Sequence, residues 1–211
     1  MELYEQISEK LQKGKAKDVK ALVQQAIDEG LPAQEILEQG LMSGMNIIGE
    51  KFKNNEVFVP EVLVAARAMN MGATLLKPLL AAEGVKAHGR VCIGTVQGDL
   101  HDIGKNLVKM MIEGKGINVI DLGVDVEPQA FVQAAIDNNA KLICLSSLLT
   151  TTMPSMGDVV KAAEAAGIRG NVKIMVGGAP VTQEFCDSIG ADCYTPDAAT
   201  AAMAAADYLK A

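Results

Sequence analysis

The chain has no tryptophan, three tyrosines and four phenylalanines in 211 residues. Ala, Val, Leu, Ile and Met must therefore fill its interior, a palette suited to helices packed on a parallel sheet. Histidine is scarce too, with only His88 and His101. The four cysteines, Cys92, Cys144, Cys186 and Cys193, include no CxxC pair of the kind that holds zinc. Cys92 and Cys144 fall inside apolar strand-like runs, where a thiol acts as a small buried hydrophobe. No apolar run reaches the roughly 18 residues that span a bilayer, and the polar opening MELYEQISEKLQKGK is no secretory leader. A net charge of −7 argues against a nucleic-acid partner. The expectation is a cytoplasmic protein with reduced thiols.

What is present changes texture along the chain. Residues 1–84 contain no convincing strand. Leu3, Ile7 and Leu11 repeat at helical spacing, and Val19, Leu22, Val23, Ala26 and Ile27 do the same before Gly30. A third helix follows Pro32, with Ile36, Leu37, Leu41, Met45 and Ile48 on its apolar face. The fourth, VPEVLVAARAMNMGATLLKPLL, is expected to kink or shorten at Pro78. Met42, Met45, Met69 and Met71 read as bundle packing. AAEGVKAHGR then reads as a linker, with His88 a solvated loop residue.

From residue 90 to 211, five short apolar runs alternate with helical segments: RVCIGTV, INVIDLG, KLICLSSL, VKIMVGG and ADCYT. The fold class is therefore α/β: a four-helix cap bundle over residues 1–84, then a flavodoxin-like, five-stranded parallel sheet over 90–211. Such sheets bind ligands beyond the C-terminal ends of their strands. Three polar or glycine-rich loops converge there: VQGDLHDIGKN after the first strand, SSLLTTTM after the third and GGAP after the fourth.

The chemistry of these loops excludes several ligands. No GxGxxG follows the first strand, and no GxxxxGK[ST] is present. A two-component receiver would carry aspartate at the end of the third strand, where this chain has Ser146. What remains is His101 with Asp99 two residues away. A carboxylate on one ring nitrogen fixes the tautomer and improves the other as a metal ligand. One histidine is too few for a bare zinc ion, but it suffices for a metal that brings equatorial ligands, as in haem or a corrin. On the residues alone, His101 also reads as a loop histidine capping the next helix. Asp99 and Asp102 read equally as helix-start carboxylates, and Ser146, Thr150 and Thr152 as caps of a helix near Ser155.

The motif order is more specific. DLHDIG, Asp99 to Gly104, resembles the DxHxxG signature of cobalamin-binding domains. SSL, Ser146 to Leu148, resembles the family's SxL element, and Gly177–Gly178 its final GG. The intervening 41 and 28 residues are similar to the family's usual intervals. The helical half, including FVPEVLVAARAMN, resembles the cap of methyl-carrying members. The nearest likeness is to small corrinoid proteins of methylotrophic methyltransferase systems; methionine synthase carries a similar module.

The resemblance implies a cobalamin or related corrinoid (methylcobalamin in the loaded form), bound base-off and His-on. His101 would be the lower axial cobalt ligand. Asp99 would accept a hydrogen bond from its other nitrogen, and Thr152 would stand where a family serine bonds that aspartate. Gly104, Gly177 and Gly178 would give clearance to the cofactor tail. Ser146 and Thr150 would offer hydroxyls, with Leu148 and Asp102 beside them. Phe58, which reads equally as core, would shield the upper face. His101 released from cobalt would take up a proton beside Asp99.

By the same resemblance the chain is no enzyme on its own. A substrate-specific methyltransferase would load cobalt(I), a second would pass the methyl group to tetrahydrofolate or coenzyme M, and a reductive activator would rescue oxidised cobalt. Residues 83–90 would be the hinge. A B12-mutase-like subunit and a cobalamin-sensing regulatory module are the alternatives.

Overall fold

The computed structural model describes residues 2–82 and 89–210, so His88 and most of the expected hinge lie outside the described residues. The chain divides into two compact units, residues 1–87 with 114–116, and 88–113 with 117–211.

The first unit is helical. In α1 (Leu3–Gln12), Ile7 and Leu11 are buried one turn apart; α2 (Ala16–Asp28) buries Val19, Val23 and Ala26. Gly30 closes α2 in the left-handed conformation, φ 78°, and the Leu31 N–H reaches back to the Ala26 carbonyl at 3.0 Å.

The third helix is not uniform. It opens as α3 (Ala33–Glu35), continues as a π-helical segment (Ile36–Met42) and resumes as α4 (Ser43–Lys53). The reason lies in the spacing of the buried residues. Ile36 and Leu41 are five apart and both fully buried, a pairing that a wider i→i+5 turn puts on one face. From Leu41 onward Met45 and Ile48 follow at α-helical spacing.

Helix α5 (Val59–Ala82) runs through Pro78 instead of ending there. The proline's missing N–H costs one bond, to the carbonyl four residues back, and the last turn continues past it. Met45 and Met69 are buried, whereas Met42 and Met71 are only half-buried.

The second unit is a five-stranded parallel sheet in the order β2-β1-β3-β4-β5, the flavodoxin-like order. Its strands are β1 (Arg90–Thr95), β2 (Asn118–Asp121), β3 (Leu142–Ser146), β4 (Lys173–Gly177) and β5 (Cys193–Tyr194). Helices α6 (Ile103–Glu113), α7 (Pro128–Asp137), α8 (Pro154–Ala165), α9 (Gln183–Ser188) and α10 (Ala198–Lys210) connect and cover them.

Strand alternation sorts the core. Cys92, Val96, Ile143, Leu145, Ile174 and Val176 face one cluster with Phe131 of α7 and Val159 and Val160 of α8. Gly94 belongs to that face because a Cβ there would come within 2.7 Å of the Phe131 ring. Cys92, Cys144 and Cys186 are free, buried thiols; burial pushes Cys92 up to about 11. Among the described residues, no helix is long and apolar enough to cross a membrane.

Candidate functional site

The strand registers put three loops on one starting line. Thr95 pairs with Ser146, and Ser146 pairs with Gly177, so β1, β3 and β4 end level with one another. The β1 loop turns at once. Asp99 N–H donates to the Val96 carbonyl at 3.1 Å, across Gly98 at φ 85°. The buried Thr95 hydroxyl donates to the His101 carbonyl at 2.9 Å. From the β2–α7 connection, Asp125 N–H donates to the Asp99 carbonyl at 3.0 Å, and Gly98 N–H donates to Asp125 Oδ1 at 2.7 Å.

Asp99 is the hub. Its side chain is fully buried, yet both oxygens are saturated. Oδ1 accepts the His101 N–H at 3.0 Å and lies 2.7 Å from His101 Nδ1. Oδ2 accepts the Leu148 and Leu149 N–H groups at 2.7 and 3.3 Å and the Thr152 hydroxyl at 3.0 Å. Burial is the largest single influence and pushes this carboxyl up. The bonds from His101, Leu148 and Thr152 outweigh it and hold the group well below the usual carboxylate range.

An ionised Asp99 can only accept, so His101 Nδ1 must carry the hydrogen they share. In the neutral imidazole that leaves Nε2 with the lone pair, and Nε2 makes no hydrogen bond among the described residues. The imidazole is half-exposed, at 52%.

Thr152 is itself held. Ser147 Oγ, fully buried, lies 2.8 Å from Thr152 Oγ1 and 3.2 Å from the Leu149 carbonyl. The expected Asp99–His101–Thr152 set is therefore assembled, with Ser147 as a fourth member. None of the three hydroxyls read as possible caps plays that part: the residue preceding α8 is Met153, with no side-chain cap bond.

The remaining expected residues fall into different surroundings. Ser146 is half-buried and Thr150 exposed, and neither belongs to the Asp99 network. Leu148 is exposed at 44% while its N–H is on Asp99. Asp102 stands at the start of α6, its carboxylate on the side-chain amide of Asn106 at 3.0 Å and not on a backbone N–H. Gly178, at φ 136°, is required by the chain itself: a Cβ there would lie 1.9 Å from the Ser147 carbonyl oxygen. A Cβ on Gly177 would meet the Thr195 carbonyl at 3.3 Å, whereas one on Gly104 meets no atom within 4 Å. Phe58 precedes α5, donates its N–H to Glu61 Oε2 at 3.0 Å and is 65% exposed, so it is not core.

A second polar cluster borders the loop. Lys105, buried in the first turn of α6, reaches Asp121 at the end of β2 at 2.6 Å, and Lys109 reaches the same carboxylate at 3.1 Å. Burial pushes Asp121 up, but Lys105, the Gly123 N–H and Lys109 hold it below its ordinary value.

The donor set tests what could bind. Among the described residues no group of three or more His, Cys, Asp or Glu could hold a metal ion. A single oriented imidazole flanked by the exposed apolar side chains Leu100 and Ile103 fits a metal that carries its own flat, largely apolar macrocycle. Gly104 leaves room for close approach.

The comparisons with known proteins agree. Two family models, both described as "B12 binding domain", match residues 89–206 and 3–77. The chain is similar to "Dimethylamine corrinoid protein 1" of Methanosarcina acetivorans, with 44% identity over 90% of each chain. It is also similar to "Trimethylamine corrinoid protein 1" of Methanosarcina mazei, with 43% identity over 81% of this chain and 80% of that one. Among solved structures, the methanol:cobalamin methyltransferase complex MtaBC of Methanosarcina barkeri matches with a TM-score of 0.88 and 29% identity, over 99% of this chain and 80% of that chain. With its sheet unit and its helical unit each matched in this way, the chain belongs to the family of B12-binding corrinoid proteins.

Proposed function

We propose that this chain is the methyl-carrying corrinoid subunit of a methyltransferase system, with His101 as the lower axial ligand of a base-off cobalamin or related corrinoid. The observation that carries this reading is the buried, ionised Asp99 holding His101 Nδ1 at 2.7 Å, which dedicates Nε2 to a single external bond. When bound, the corrinoid would supply a cobalt centre that accepts and releases the methyl group.

The protein's own residues supply position and charge. Asp99 fixes the tautomer of His101, and Thr152 with the Leu148 and Leu149 amides keeps Asp99 ionised. Ionised Asp99 can also balance a proton held at Nε2 whenever that nitrogen is not ligating. Gly104, with no Cβ, would leave room for the cofactor tail, and Ser146 and Thr150 would offer it hydroxyls. The helical unit, with exposed Phe58 before α5, is the proposed cap.

The relatives' names make the methylamines the first donors to test. The partners in this reading are a substrate-specific methyltransferase, a second methyltransferase to tetrahydrofolate or coenzyme M, and a reductive activator, all in the cytoplasm. Reconstitution with cobalamin tests it. Cobalt(II) resonance spectra should show one coordinated nitrogen in the wild type that His101→Ala loses, and a methylamine methyltransferase should load the wild type alone. No corrinoid binding would end this reading.

A further inference from the structure

Three non-glycine residues have left-handed backbone among the described residues: Asn55, Asp125 and Asn139. Asn55 follows α4 and Asn139 follows α7, positions where a left-handed residue commonly closes a helix. Asp125 closes no helix. It lies between β2 and α7 at φ 53°, a conformation uncommon for L-residues and tolerated best by asparagine and aspartate, whose side chains can bond locally.

The conformation turns two groups of one residue onto one target. Asp125 N–H donates to the Asp99 carbonyl at 3.0 Å, and Asp125 Oδ1 accepts the Gly98 N–H at 2.7 Å. The next residue continues the hold: Val126 N–H donates to the Thr95 carbonyl at 3.0 Å, and Val126 bridges to Val96. Gly98 is itself left-handed, with the Thr152 methyl 3.3 Å from where its Cβ would be. The backbone around Asp99 is thus fixed from outside the loop: Asp125 holds the Gly98 N–H before it and the Asp99 carbonyl after it, and Thr95 holds the His101 carbonyl.

We propose that Asp125 is a positioning residue for His101, clamping the Gly98–Asp99 backbone so that the Asp99 carboxylate meets both the imidazole and the β3 loop. This rests on His101 being the axial ligand. The sheet does not need the bond to Gly98, which lies outside every strand. A charge-assisted bond of 2.7 Å at an exposed position is spent on fixing a loop.

Three variants separate strain from clamping. Asp125→Gly removes both the carboxylate and the backbone strain, and so should fold. Asp125→Ala removes the carboxylate but keeps the strain, and Asp125→Asn keeps an acceptor in a residue that tolerates left-handed backbone. In the apoprotein, exchange of the Gly98 amide should rise by about tenfold or more in the Gly and Ala variants, with Asn restoring most of the protection. In cobalamin-loaded protein, the nitrogen-coordinated fraction of cobalt(II) should fall in the Gly and Ala variants and recover in Asn. A His101-dependent spectrum that Gly and Ala leave unchanged overturns the clamp, whatever the exchange rates do. A wild-type spectrum identical to that of His101→Ala overturns the ligand reading, and this proposal with it.

Discussion

Replacing Asp99 by asparagine keeps the shape of the side chain and changes one acceptor oxygen into a donor. Five donors converge on the aspartate, two on Oδ1 and three on Oδ2. An amide turned with its NH2 toward the β3 loop would face the Leu148 and Leu149 N–H groups and the Thr152 hydroxyl. Turned the other way it faces only the His101 N–H and the ring, which can respond by moving its proton from Nδ1 to Nε2. The second orientation therefore wins, and Asp99→Asn should switch the His101 tautomer.

The energetic loss has two parts. One backbone N–H loses its partner, about 1–3 kcal/mol, and several charge-assisted bonds become neutral ones, each weaker by about 1 kcal/mol. A total of about 4 kcal/mol, the low end of that sum, corresponds to about a 1,000-fold change in an opening equilibrium. Native-state exchange of the β3 amides, in the apoprotein at neutral pH, reads that factor directly. Nitrogen chemical shifts of the imidazole read the tautomer.

The pH dependence has a definite sign. The folded carboxyl is held low, so its contribution is complete above the unfolded-chain value of about 3.9. It is lost as the pH falls below that value toward the folded one, and there the gap between wild type and variant should close. A variant within about 1 kcal/mol of wild type, with Nδ1 still protonated, would refute the reasoning.

Two glycines should respond in opposite ways. Gly178→Ala puts a Cβ against the Ser147 carbonyl at a left-handed position, and should destabilise the apoprotein by about 3 kcal/mol or more in thermal unfolding. Gly104→Ala, in the first turn of α6 with no neighbour to meet, should stabilise it by up to about 1 kcal/mol while weakening cobalamin binding in a titration. Lys105→Met breaks a buried ion pair but leaves Lys109 on Asp121. The expected loss at neutral pH is about 2 kcal/mol, seen by denaturant titration and shrinking below about pH 4 as Asp121 is protonated. With native protein at pH 7.5, iodoacetamide followed by mass spectrometry should label Cys193 first, because it is only half-buried while Cys92, Cys144 and Cys186 are buried; burial pushes all four thiols up.

The sheet was legible because each strand-like run ends where apolar residues give way to glycine or hydroxyls, and the observed strands lie inside those runs. The fifth shrank to Cys193–Tyr194, an edge strand with one partner. Asp99, His101 and Thr152 were legible as chemistry because carboxylate, imidazole and hydroxyl announce themselves. Their other partners were not. The Leu148 and Leu149 amides are backbone groups that no residue type reveals, and the left-handed turn at Asp125 leaves no mark in GVDVEP. Ser147 could have been found: continued alternation puts it on the same face as Ile143 and Leu145, which pack under α7 and α8. Lys105 reads as a surface helix lysine until Asp121 is known to end the neighbouring strand.

The π-helical segment sets a rule for what the helical unit tolerates in descent. Its five-residue step from Ile36 to Leu41 amounts to one residue more than an α-helix needs to return to the same face. Deleting one residue between them would make a regular α-helix, with the two ends of the step now four apart and still on one face. Met45 and Ile48 would keep their place behind Leu41, because the spacing from Leu41 onward is already α-helical. Related chains can therefore carry one residue fewer between these two positions without turning the helix that follows.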